Sequence, residues 1–98
     1  MGRDAVHQLL ASDAALDKLG PRGITAEEAE QLPRNRHHTV RNPREPGEPG
    51  KRGLLIGRTD RGRILTLVIE RTVDPTTWLI VTGWDSTETE RKILETRR

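Results

Sequence analysis

Seven residues carry side chains suited to holding or acting on a polyanion: Arg36, His38, Arg58, Arg63, Glu70, Arg71 and Trp84. Guanidinium groups clamp phosphate with a planar fork of donors. Histidine titrates near neutrality, and a carboxylate can take or return a proton, so His38 and Glu70 are the acid–base candidates. Metal-free cleavage of a ribose phosphodiester needs a base for the 2′-hydroxyl, cations on the phosphorane and an acid for the leaving oxygen. The sequence supplies cations freely and acid–base groups sparingly. An alternative reading of each arginine is a solubilising surface charge, and His38 also reads as a half-exposed strand residue.

Other chemistries find no support. There is no cysteine, which removes a disulfide framework and thiolate-ligated zinc. Neither a Gly-x-Ser-x-Gly elbow nor a Gly-x-x-x-x-Gly-Lys phosphate loop occurs. His37 and His38 are neighbours, so on a strand they point to opposite faces and cannot share a metal ion. No cofactor is implied. The expected setting is cytoplasmic: no apolar run approaches the ~20 residues of a membrane helix, and Met1 to His7 lacks the long apolar region of a signal peptide.

Charge is unevenly spread. Residues 34–71 hold ten basic groups against four acidic ones, a net of +6, whereas 1–33 stand at −3 and 72–98 at −1. A basic middle segment is a footprint for a polyanion as well as an aid to solubility. Fourteen of the 17 basic residues are arginine, which suits phosphate but also follows from base composition.

These groups must be positioned by one small α+β domain spanning 1–98. Only 32% of the residues are hydrophobic, and the two tryptophans are the only aromatics, so the core must be compact and aliphatic. Ala5 to Leu19 reads as a helix, with Val6, Leu9, Leu10, Ala14 and Leu16 as its apolar stripe and Gly20-Pro21 as its stop. Thr25-Ala26-Glu27-Glu28 is a capping box opening a short second helix that ends before Pro33. Strands are expected at Arg36–Arg41, Arg52–Thr59, Arg63–Arg71 and Thr77–Thr82, with a hairpin turn at Asp60-Arg61-Gly62. The run Ile64–Ile69 is nearly continuous apolar and should be buried on both faces. Residues 43–51, with three prolines and two glycines, read as a mobile loop. Thr87-Glu88-Thr89-Glu90 is a second capping box, for a closing helix anchored by Ile93 and Leu94. The expected architecture is therefore two N-terminal helices, an antiparallel four-stranded meander and a C-terminal helix. Arg58 and Arg63 flank the hairpin turn, with Arg71 about 25 Å away at the other end of its strand.

Three segments then resemble the BrnT-type toxins of the RelE-like superfamily. Gly23-Ile24-Thr25-Ala26-Glu27-Glu28-Ala29 is similar to their G-(V/I)-s-x-E-E-A segment. Ile56-Gly57-Arg58-Thr59-Asp60-Arg61-Gly62-Arg63-Ile64-Leu65-Thr66 is similar to their I-G-x-t-x-x-G-R-x-L hairpin. Ser86 to Lys92 is similar to their closing A-T-x-x-E-R helix. Together they span about residues 18–95. The resemblance implies a RelE-like fold, metal-independent cleavage of mRNA and neutralisation by a ribbon-helix-helix antitoxin; a homodimer is left open. It assigns a phosphate-contacting role to Arg71.

Two departures are visible. The family's second arginine precedes the closing helix, where this chain has Gly83-Trp84-Asp85, and the family opens with a strand bearing a Trp-Asp pair, which Met1 to His7 does not provide. Trp84 either stacks on a base or fills a core. Two expectations follow: a toxin ribonuclease in which Arg71, Glu70 and His38 act while Arg58, Arg63, Arg36 and Trp84 guide RNA, or a catalytically degenerate relative that binds RNA or protein.

Overall fold

A computed structural model describes residues 6–41 and 52–96. The expected loop at 43–51 lies outside the described residues. Among the described residues the chain is α+β, with a five-stranded mixed sheet and three α-helices.

The strands are β1 (Gln8–Ala11), β2 (His37–Arg41), β3 (Arg52–Arg58), β4 (Ile64–Arg71) and β5 (Thr77–Asp85); the helices are α1 (Asp13–Leu19), α2 (Ala26–Gln31) and α3 (Glu88–Thr96). Short 3-10 turns at Gly20–Arg22 and Leu32–Arg34 follow α1 and α2, each with proline near its start. Spatial order is β1-β5-β4-β3-β2. The strands β2 to β5 are antiparallel neighbours in chain order, and β1 pairs with β5 in parallel.

Two expectations are corrected. The sheet is not a four-stranded antiparallel meander, because a fifth, parallel strand extends it. The chain does not open with a helix over 5–19: Gln8–Ala11 is that strand, and α1 starts only at Asp13, after Ser12 caps it by accepting from the Ala15 amide. The physical reason is pairing over distance. Val6 and Leu9 suit a helix stripe and a strand equally well. What decides is that β5 offers an unpaired edge, and Leu9 lands beside Trp78 and Ala11 beside Ile80. Leu9 is buried and Leu10 exposed, the alternation of a strand.

Register divides the sheet into two faces. On the first lie Leu55, Leu65, Leu67, Ile69, Trp78 and Ile80, packed under Ala15 and Leu19 of α1, Ile24 before α2, Ala29 within it and Leu32 after it. On the second, Ile56 and Ile64 pack with Ile93 and Leu94 of α3. Every residue from Ile64 to Ile69 is buried, as the continuous apolar run requires. Gly83 and Gly57 serve close packing: a Cβ at Gly83 would stand 2.6 Å from a Leu67 methyl, and one at Gly57 2.8 Å from Leu32 Cγ.

The local signals form as read. Thr25 Oγ1 accepts from the Glu28 amide, and Glu28 accepts from the Thr25 amide. Thr87 and Glu90 make the same reciprocal pair at α3. Gly62 turns the β3–β4 hairpin with φ +91°, a conformation that favours glycine.

Candidate nucleic-acid interface

Several charged residues of the three resemblance segments hold the fold together. Arg63, just before β4, reaches over to α2. Its guanidinium donates to both Glu28 oxygens (3.1 and 3.2 Å) and, in a fork, to Asp85 at the end of β5 (2.8 and 3.2 Å). It also donates to the carbonyls of Gly23 and Arg22. The Thr25 amide and the Arg63 cation hold Glu28 below the usual carboxylate range against a modest burial penalty. The bond from Arg63 similarly lowers Asp85, and the two carboxylates raise Arg63. Arg63, expected to guide RNA, is thus the tie between the helical segment and the hairpin.

Glu90 is the corresponding tie for α3. It accepts from Trp84 Nε1 (3.0 Å), Thr66 Oγ1 (2.9 Å) and the Thr87 amide (2.8 Å). The Thr66 and Ser86 hydroxyls are 2.7 Å apart. Thr66 gives its single proton to Glu90, so Ser86 must donate to Thr66. Burial pushes the Glu90 carboxyl up, but these donors outweigh it and the carboxyl ends below its ordinary value. Trp84 is therefore half-buried and anchored at its polar end. Arg36 donates to the Glu95 carbonyl near the end of α3, where a cation suits both the orphan carbonyl and the helix dipole.

The expected catalytic residues do not converge. Glu70 and Arg71 are consecutive on β4 and point to opposite faces. Arg71 lies on the first face opposite Trp78, its guanidinium carbon 5.0 Å from that ring's centroid. Glu70 lies on the second face, where Arg52 Nε donates to it at 3.0 Å. His38 shares that face, in the row His38–Ile56–Thr66–Trp84. From that row Glu70 is four residues along and, from β2, two strands across, about 16 Å by ordinary strand spacings.

What the second face does offer is a cationic, half-open strip. Beyond α3, Val40, Leu54 and Thr82 are half-buried, and Leu10 and Leu79 are exposed. A cleft of about 200 Å³ lies where α1 flanks the strip, lined by Lys18, Arg52, Glu70, Leu79 and Val81 among others. The register of β4 against β5 shifts between Val68 and Ile69, so Val81 is an extra residue there. Such a bulge bends a strand and redirects side chains. Arg58 stands on the same face at the other end of β3. Sequence reading passed over Lys18 and Arg52. Arg52 could have been found by parity with Arg58, whereas Lys18 enters only through the tertiary packing of α1.

A second cleft, about 320 Å³, is lined by Glu27, Glu28, Asp60 and Arg61 among others and repels phosphate on balance of charge. Among the described residues no three His, Asp or Glu side chains gather as a metal-binding group, and no helix is long and apolar enough to cross a membrane. Comparison of the sequence with protein-family models returns no match, and no curated protein matches it.

Proposed function

We propose that this chain is an RNA-binding protein of the BrnT toxin type, with a RelE-like fold, and that RNA lies along the second face of the sheet. The observation that carries this reading is the strip just described: Arg52 stands beside half-buried Leu54 and exposed Leu79, Lys18 of α1 lines the cleft next to it, and Arg58 lies on the same sheet face beyond Ile56, which α3 covers. Cations track the phosphates while apolar side chains lie under sugars and bases. The resemblance at three segments, and β1 as a counterpart of the family's opening strand, support the family. On this reading the protein acts in the cytoplasm, and a ribbon-helix-helix antitoxin would compete for the same surface.

Metal-independent cleavage of mRNA is the second reading, favoured by the match of Arg71 to the family's arginine. Geometry favours binding without cleavage. Glu70 is engaged by Arg52, Arg71 is turned to the other face, and Trp84 stands where the family has its second arginine.

The test is anisotropy of a labelled single-stranded oligoribonucleotide at 50 and 200 mM salt, followed by gel analysis in EDTA. Three phosphate contacts predict a slope of log K against log salt near −2, at ~0.7 per contact on single strands. Binding without products supports the proposal. EDTA-resistant products that disappear with Arg71→Ala establish cleavage instead. Absence of binding at 50 mM salt refutes both readings.

A further inference from the structure

The Arg52–Glu70 pair sits inside the cleft between α1 and the sheet, and this placement raises a question of purpose. The two are direct cross-strand partners at the end of the β3–β4 ladder, with side chains 39% and 28% exposed. A pair so accessible adds little to stability. It also adds no buried contact that an aliphatic pair would not supply better. Lys18 lines the same cleft from α1, so two cations and one carboxylate share a small concave site. Arg52 meets Glu70 through one Nε donor at 3.0 Å, and the same guanidinium can donate to a phosphate oxygen in place of the carboxylate.

We infer that Glu70 is an internal stand-in for phosphate: it occupies Arg52 in the free protein and is displaced when an RNA phosphate enters between Arg52 and Lys18. The inference rests on the RNA-binding reading and specifies the phosphate subsite within it. At about 200 Å³ the cleft is below the ~300–1,000 Å³ typical of small-molecule pockets, so it takes one phosphate with part of its sugar and not a whole nucleotide cofactor. Leu79 and Val81 form its apolar wall, against which a ribose can lie. The displaced Glu70 raises the cost of binding, so the subsite favours ligands that also engage Arg58 or the strip. A lone phosphate gains too little to dislodge the carboxylate. Glu70 then sets selectivity for extended single strands over mononucleotides.

The experiment compares wild type, Glu70→Gln, Arg52→Gln and the double variant by anisotropy with the same labelled oligoribonucleotide. Because the Gln amide oxygen can still accept from Arg52, Glu70→Ala is included as a second release variant. Fluorescence of Trp78 and Trp84 during thermal melting checks that each variant is folded. Releasing Arg52 should tighten binding roughly two- to fivefold, the range spanned by exposed ion pairs. The salt slope should stay close to that of wild type, because Arg52 already meets a phosphate in the wild-type complex and only the cost of displacing Glu70 is removed. In the Arg52→Gln background the gain should fall by more than half, since the carboxylate then has no guanidinium to release. An equal gain in both backgrounds would show that Glu70 acts only as a repelling charge. Unchanged affinity in both release variants, with wild type still binding RNA, overturns the inference and leaves the RNA reading standing. Wild type that fails to bind at low salt removes both.

Discussion

Removing the partly exposed Arg63 side chain should destabilise the protein well beyond the usual effect of a surface substitution. Arg63→Ala breaks a bidentate bond to Asp85, the bonds to Glu28 and two bonds to the carbonyls of Arg22 and Gly23. The Arg63 and Glu28 side chains are 29% and 28% exposed, while Asp85 is 56% exposed. Each ion pair is therefore worth at most ~1 kcal/mol, the upper end for accessible pairs. The two carbonyl bonds add ~0.5–1 kcal/mol each. The loss should be about 3 kcal/mol, a large share of the ~5–15 kcal/mol of a natural domain. It should lower the midpoint of thermal unfolding by roughly 12–24 °C at ~4–8 °C per kcal/mol for a domain of this size. Arg63→Lys keeps a charge but not the fork and should fall between. Urea unfolding monitored by tryptophan fluorescence measures all three. A loss below about 1 kcal/mol for Arg63→Ala would refute the reasoning, as would a lysine variant equal to wild type.

The same network fixes a sign for pH. Glu28 and Asp85 both have folded values below their ordinary 4.5 and 3.8. Depressed carboxylates stabilise the fold fully above the unfolded values, and that stability is lost as pH falls through the lowered folded values. The gap between wild type and Arg63→Ala should therefore be widest near neutrality and shrink below about pH 4. For Glu28 part of the acid sensitivity should persist in the variant, because the Thr25 amide lowers it independently of Arg63.

Further outcomes test other parts of the structure. Leu9→Glu should unfold the protein while Leu10→Glu is tolerated, which circular dichroism can establish; equal effects would argue against β1. Gly83→Ala should cost about 1–3 kcal/mol by overpacking, since its Cβ would meet Leu67 and the Thr66 carbonyl. Glu90→Ala leaves the buried Thr66 hydroxyl with Ser86 alone and removes the acceptor of Trp84 Nε1; the loss should be roughly 1–3 kcal/mol, with a shift in tryptophan emission. Arg52→Gln should weaken RNA binding and lower the salt slope by about 0.7, whereas Arg36→Gln should act on stability through α3 and leave that slope unchanged.

Sequence alone determined the features whose causes lie within a few residues. Thr25 with Glu28, and Thr87 with Glu90, announce helix starts because a cap and its reciprocal carboxylate are three residues apart. Asp60-Arg61-Gly62 announces a hairpin because its backbone needs a glycine at positive φ. The burial of Ile64–Ile69 follows from an uninterrupted apolar run.

Tertiary structure decided everything that depends on partners far along the chain. Gln8–Ala11 became a strand because β5, some 70 residues later, left an edge that needed hydrogen bonds. Arg63 reads like any exposed arginine until the carbonyls of Arg22 and Gly23 and the carboxylates of Glu28 and Asp85 close around it. Its charge is then paired within the fold. Lys18 and Arg52, more than thirty residues apart, share a cleft only because α1 folds against the flank of the sheet. Charge can be counted along a sequence, but the accessible part of it is set by which charges the fold has already paired.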